Sequence, residues 1–90
     1  MQIRFLSLDD ETTYLLGFRL KLSRTEQKLL WAIAQGGKCD VDSLVTLLPE
    51  GVKRGNVAVH INSINKKAEC ISDRKLVLFE NGKYKINPFM

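Results

Sequence analysis

One amphipathic segment constrains the fold of this chain more than any other. Its sequence, KRGNVAVHINSINKKAE, occupies residues 53–69 and has no acidic residue before its last position. On a helix of about 3.6 residues per turn, four of its apolar residues fall on one narrow face. They are Val57, Ile61, Ile64 and Ala68. The other side is small, hydrogen-bonding or basic, so the segment predicts a helix that is buried on one side only.

Two shorter amphipathic helices are predicted before this segment. Ser23 and Glu26 have capping-box spacing, in which each side chain accepts a hydrogen bond from the other residue's backbone amide, and the pair 36–37 is Gly-Gly, a stop signal. Asp40 suits the N-cap of the next helix, and Pro49 ends it. The apolar residues of that helix follow the i, i+3, i+4, i+7 pattern and are Val41, Leu44, Val45 and Leu48.

Both ends of the chain carry strand signals. Apolar alternation around a turn at residues 9–12 predicts a small antiparallel sheet, with Phe18, Leu20 and Leu22 on its buried face. Residues 74–79 predict a strand, and Asn81-Gly82 favours a type I′ turn into a returning strand at residues 84–86. We therefore predict one α+β domain over residues 1–90, with the sheet in 1–22, a three-helix core in 23–70 and a hairpin in 71–90.

The charge of the chain favours a polyanionic partner. The net charge is +4, and residues 38–90 carry nine bases against six acids, whereas residues 1–37 carry five against four. A clustered positive potential attracts phosphates. We expect the chain not to be an enzyme, because ninety residues leave little interior for a substrate cavity and no nucleophile, base or buried carboxylate pair has a recognisable spacing.

Metal, cofactor and membrane chemistry are not expected. Cys39 and Cys70 have no neighbouring cysteine or histidine at a zinc-site spacing and suit reduced cytosolic thiols. The acids at residues 9–11 suit a solvated turn. No apolar run approaches a membrane span, and no cleavable leader is evident. We expect a cytoplasmic chain with no cofactor and no membrane partner.

The predicted order of sheet, three helices and hairpin is that of a winged helix-turn-helix. Three motifs carry a closer resemblance: Leu22-Ser23-Arg24-Thr25-Glu26 running to Leu29-Leu30, Val57-Ala58-Val59-His60-Ile61 closed by Lys66 and Lys67, and Tyr84 in the hairpin. Together they resemble the C-terminal effector domain of OmpR/PhoB-type response regulators, over nearly the whole chain and including the N-terminal sheet. We expect no receiver domain before residue 1, and hence no phosphorylation switch in this chain.

The sequence departs from that family's pattern at positions that hold DNA. Asn62, Ser63 and Asn65 stand where the family often has arginine, Ala58 replaces an aspartate, and Glu80 occupies a wing position that is commonly arginine. Each lost cationic contact removes roughly one unit of salt dependence. We therefore expect weaker and less salt-dependent DNA binding than in an arginine-rich relative.

The resemblance implies sequence-specific binding of double-stranded DNA by a transcriptional regulator or effector domain, with a recognition helix at about residues 54–68 in the major groove. The residues expected at phosphates are Lys53, Arg54, His60, Lys66, Lys67, Lys83 and Lys85. The residues expected to face bases are Asn56, Val59, Asn62 and Ser63. Amides such as Asn62 and Asn65 can pair with adenine, and Ala58 and Val59 can contact a thymine methyl.

Other interpretations of the same residues stay open at this point. The basic residues also suit a solvated helix rim, and His60 also suits a half-buried, hydrogen-bonded site. A winged helix can instead serve as a protein-interaction module, for which exposed Ala58 and Val59 would form a docking patch. The expected partners are then RNA polymerase or a regulatory protein, and the family resemblance also implies pairing of two copies on DNA.

Overall fold

The structure is a computed structural model that describes residues 2–3, 5–36, 39–48 and 55–88. Lys53, Arg54 and the connector at residues 49–52 lie outside the described residues. Within those ranges the chain forms an α+β winged helix-turn-helix, which confirms the predicted fold class. Its elements are β1 (Gln2–Ile3), β2 (Leu6–Leu8), β3 (Thr13–Leu15), β4 (Phe18–Arg19), α1 (Arg24–Gln35), α2 (Val41–Val45), α3 (Gly55–Ser72), β5 (Val77–Glu80) and β6 (Lys83–Ile86).

The N-terminal sheet is antiparallel with strand order β1-β2-β3-β4. Its inner face buries Leu6, Leu8, Thr13 and Leu15. The predicted turn at residues 9–12 forms because the Asp9 carboxylate accepts from the amides of Glu11 and Thr12, both at 2.8 Å. The prediction that Phe18 is buried is wrong, since its exposed fraction is 65%. Phe18 directly follows the tight turn at Leu16 and Gly17, at the end of the edge strand.

The predicted starts of α1 and α2 are confirmed. Ser23 and Glu26 form the reciprocal capping box, and α1 ends at Gly36 in the left-handed conformation. The side chain of Asp40 caps α2. This helix ends at Val45 rather than at residue 48, because the next amides bond three residues back in a tighter turn. The turn still buries Leu48 in the core.

Helix α3 buries the predicted face and extends beyond the predicted end. Val57, Ile61, Ile64 and Ala68 are all at most 3% exposed. The helix continues to Ser72 instead of stopping near residue 68. At this length α3 runs across the core and contacts both α1 and the C-terminal hairpin.

The C-terminal hairpin, called the wing below, has the predicted turn. Asn81 and Gly82 have φ values of 55° and 77°, as a type I′ turn requires. Strand β5 starts at Val77 and not at residue 74, because Asp73 turns left-handed after α3. The amide of Tyr84 donates to the Cys39 carbonyl at 3.0 Å, so the wing is anchored to the segment between α1 and α2.

Candidate nucleic-acid interface

The solvent side of α3 presents one stripe of exposed residues. Val59, Asn62 and Lys66 are spaced i, i+3, i+7 and share this side, which we call the outer face. Val59 is 61% exposed, a large value for an apolar residue within a helix. Asn56 and Ala58 are also exposed beside the stripe. No acid occurs on α3 before Glu69, so the outer face is neutral to basic along most of its length.

The flank of α3 next to α1 is held by one buried carboxylate. Lys67 donates to Glu26 Oε1 at 2.6 Å, and Ser63, one helical turn earlier, also lowers the pKa of this carboxyl. Glu26 is only 3% exposed and also accepts from the Ser23 amide at 2.8 Å. Burial alone raises the pKa of the Glu26 carboxyl, but the hydrogen bonds from Lys67, Ser23 and Ser63 outweigh burial and hold the pKa at about 2. The carboxylate therefore stays charged and links α1 to α3.

The opposite flank of α3 is held by the wing. Asn65 donates to the Val77 carbonyl at 3.0 Å and accepts from the Val77 amide at 2.8 Å. The side chain is buried, so the interpretation of Asn65 as an adenine-binding residue is wrong. The amide group of Asn65 thus completes the backbone hydrogen bonds of Val77, the first residue of β5, on the side where no strand pairs with it.

A groove of about 460 Å³ separates α3 from the wing. Ala58 and Asn62 line one wall, and Phe79 and Tyr84 line the other. The two rings pack with centroids 4.7 Å apart at a tilt of 55°. Phe79 nevertheless remains 57% exposed, so the groove has an apolar edge beside the outer face.

The wing presents charge of both signs. Lys83 and Lys85 are exposed and alternate with Tyr84, whose partly buried ring packs against the core. Lys85 pairs with Glu80 at 2.9 Å, and Glu80 also lies directly across the hairpin from Lys83. Glu80 therefore offsets part of the positive charge that the sequence predicts for the wing.

The remaining titratable candidates form no separate site. His60 is half-buried on the edge of α3. Both cysteines are free thiols, and burial raises the pKa of the Cys39 thiol. Within the described ranges no group of three or more His, Cys, Asp or Glu residues is placed to hold a metal ion. Among those same residues, no helix is long and apolar enough to cross a membrane.

The structure divides the predicted site residues into three sets. Val59, Asn62 and Lys66 come together on the outer face, with Asn56 nearby and Lys83 and Lys85 on the wing. Ser63 and Lys67 are turned toward α1, which the sequence did not indicate, because Glu26 was assigned only to the capping box. Lys53 and Arg54 lie outside the described residues, so their placement stays a prediction.

The fold is a winged helix in which one side of α3 is exposed to solvent. Comparison with protein-family models and with curated proteins finds no match. A solved structure does match, from a novel family of redox sensors in the streptococci that evolved from two-component response regulators. It aligns with 96% of this chain at 22% identity and a TM-score of 0.76, so the likeness concerns the fold. This chain spans 41% of that protein's length.

Proposed function

We propose that this chain binds double-stranded DNA through α3 and serves as the DNA-binding module of a transcriptional regulator of the OmpR/PhoB type. The observation that carries the proposal is the outer face. Val59, Asn62 and Lys66 project from a helix that is fixed on both flanks, and no acid interrupts the stripe. An α-helix with its side chains is about 10–12 Å across and fits a major groove about 12 Å wide.

The residues of the interface divide by chemistry. Lys66 and Lys83 are exposed cations suited to phosphates, and Lys53, Arg54, His60 and Lys85 are proposed at the backbone from the sequence. Asn62 has the donor and acceptor that adenine needs, and Val59 can contact a thymine methyl. Specificity would then come from amide and methyl groups, with Asn56 at the start of the helix.

The regulatory part of the proposal is supported by the fold match. The matching protein evolved from two-component response regulators, in agreement with the motif resemblance of this sequence. We do not propose redox sensing at the buried Cys39. Burial disfavours the Cys39 thiolate, and the thiolate is the form that reacts with oxidants.

A salt titration of duplex affinity with two lysine variants tests the proposal. Lys66→Ala removes a cation from the outer face, whereas Lys28→Ala removes an exposed cation from α1, beside the N-terminal turn. We expect Lys66→Ala to lower the slope of log affinity against log salt by about one unit and Lys28→Ala to leave it unchanged. Equal effects of the two variants would mean that α3 is not the binding helix.

A protein-interaction module is the second candidate function. Val59 and Phe79 are both more than half exposed, and Phe79 lines the groove beside α3. Apolar exposure of this kind also suits RNA polymerase, a regulatory protein or a second copy of the chain. Absence of duplex binding at low salt, together with self-association in sedimentation that Val59→Lys abolishes, would favour this candidate.

A further inference from the structure

Lys66 and Lys67 are adjacent in the C-terminal half of α3 but have different surroundings. Lys66 lies exposed on the outer face and makes no ion pair with any residue in the described ranges. Lys67 is turned by about 100° around the helix and reaches Glu26 at 2.6 Å. An ion pair with a carboxylate that is 4% exposed is far less screened than a surface pair.

Lys67 joins α3 to the Glu26 carboxylate through a hydrogen-bonded ion pair. Ser63 lies four residues earlier, on the same side of the helix, and also lowers the pKa of this carboxyl. The contact with Lys67 therefore opposes rotation of α3 about its axis as well as its separation from α1. On the other flank Asn65 makes two bonds to the Val77 backbone. Rotation in either direction would break one of these two sets of contacts.

We propose that Glu26 is a positioning residue for DNA recognition: it holds α3 through Lys67 so that the outer face meets the base edges, and Lys67 is a structural contact and not a phosphate ligand. This inference rests on the proposed function for its DNA readout. The orientation of α3 about its own axis, which Glu26 holds, does not depend on DNA. The low pKa of Glu26 agrees with it, because a carboxylate that stays charged keeps its ion pair with Lys67.

The matched variants Lys66→Met and Lys67→Met separate the two roles, because each removes one charge and keeps an unbranched side chain that is only one atom shorter. Affinity is measured below the melting temperature for a duplex selected from a random pool and for a scrambled duplex, each over a salt series. Lys66→Met should lower the salt slope by about one unit and keep the ratio of the two affinities. Lys67→Met should keep the slope and reduce the ratio roughly three- to thirtyfold.

Lys67→Arg restores a cation that can reach Glu26 and should recover the affinity ratio. A merely stabilising role would leave the ratio unchanged in folded protein, so this readout is specific for positioning. If Lys67→Met lost a unit of slope and kept the ratio, Lys67 would be a phosphate ligand and the proposal would be wrong. Glu26→Gln, which keeps an acceptor for the Ser23 amide, provides a second route if Lys67→Met does not fold.

Amide chemical shifts without DNA distinguish failure of this inference from failure of the proposed function. In Lys67→Met the amides of Val59 and Asn62 should shift together, and in Lys66→Met only neighbouring amides should shift. Unshifted outer-face amides in Lys67→Met would overturn the inference whatever the protein binds. If the wild-type chain bound no duplex, the proposed function would fail while this measurement still decided the role of Glu26.

Discussion

The lysines of α3 and of the wing are not equally available to a partner, because some of them pair with a carboxylate. Lys66 is exposed, whereas Lys67 is paired with Glu26, so one of two adjacent lysines remains available to a polyanion. The wing shows the same effect in a different form, because Lys85 is paired with Glu80. Counting basic residues therefore overstates the number of phosphates that the chain can neutralise.

The wing carboxylate should weaken DNA binding. Glu80→Gln removes the partner of Lys85, and we expect higher duplex affinity with a salt slope steeper by about one unit, because Lys85 is released for a phosphate. Fluorescence anisotropy over a salt series measures both quantities. Glu11→Gln, in the exposed N-terminal turn, makes the same change in net charge and should leave the slope unaltered. An equal gain in both variants would show that net charge alone is responsible.

At the scale of elements, two buried polar side chains fix α3 between its neighbours. Glu26 links it to α1, and Asn65 links it to β5. Within the described ranges no buried side-chain nitrogen or oxygen lacks a hydrogen-bond partner. A buried polar group that loses its hydrogen-bond partner lowers the free energy of unfolding more than an exposed group does. We therefore expect these two contacts to affect both the stability of the fold and the orientation of α3.

Glu26 should make the stability of the fold depend on acid pH. Its pKa is about 2 in the folded chain against 4.5 without the fold, so the folded state favours the charged form. The resulting stabilisation, on the order of 3 kcal/mol, is fully present above pH 4.5 and is lost as the pH falls toward 2. Urea unfolding of wild type and Glu26→Gln should therefore show a difference that shrinks over this range. A constant difference would contradict the assignment.

Asn65 should contribute to stability, and its neighbour Asn62 should not. Asn65→Ala leaves the buried amide and carbonyl of Val77 without their partners, which we expect to cost about 2–4 kcal/mol of unfolding free energy. Asn62→Ala, on the exposed outer face, should change it by less than about 0.5 kcal/mol. Chemical denaturation measures both. Similar values for the two variants would refute the buried bidentate contact.

Across the whole molecule, the features that the sequence predicts correctly are those set by residues close together in the chain. The capping box at Ser23 and the Asn81-Gly82 turn are confirmed because their geometry is set within a few residues. The buried face of α3 is confirmed because helical periodicity alone selects it. These local signals, taken in order along the chain, were sufficient for the winged helix fold.

Contacts between distant residues left no such signal. Lys67 bonds a carboxylate 41 positions away, and Asn65 bonds the backbone 12 positions away. Nothing in the sequence distinguishes Lys67 from the exposed Lys66, or Asn65 from the exposed Asn62. Phe18 fits the strand alternation, yet it is exposed as the first residue of a two-residue edge strand. The sequence therefore predicted which helix has an exposed face, while the division of its polar residues into exposed ones and ones held by internal contacts required the structure.

Selection of duplexes from a random pool by the wild-type chain tests whether the protein recognises DNA through α3. We predict enrichment of a recurrent sequence that binds roughly a thousandfold more tightly than random duplex. A direct repeat among the enriched sequences would indicate two copies arranged head to tail. Failure to enrich any sequence, together with no salt-dependent binding to any duplex, would contradict the account.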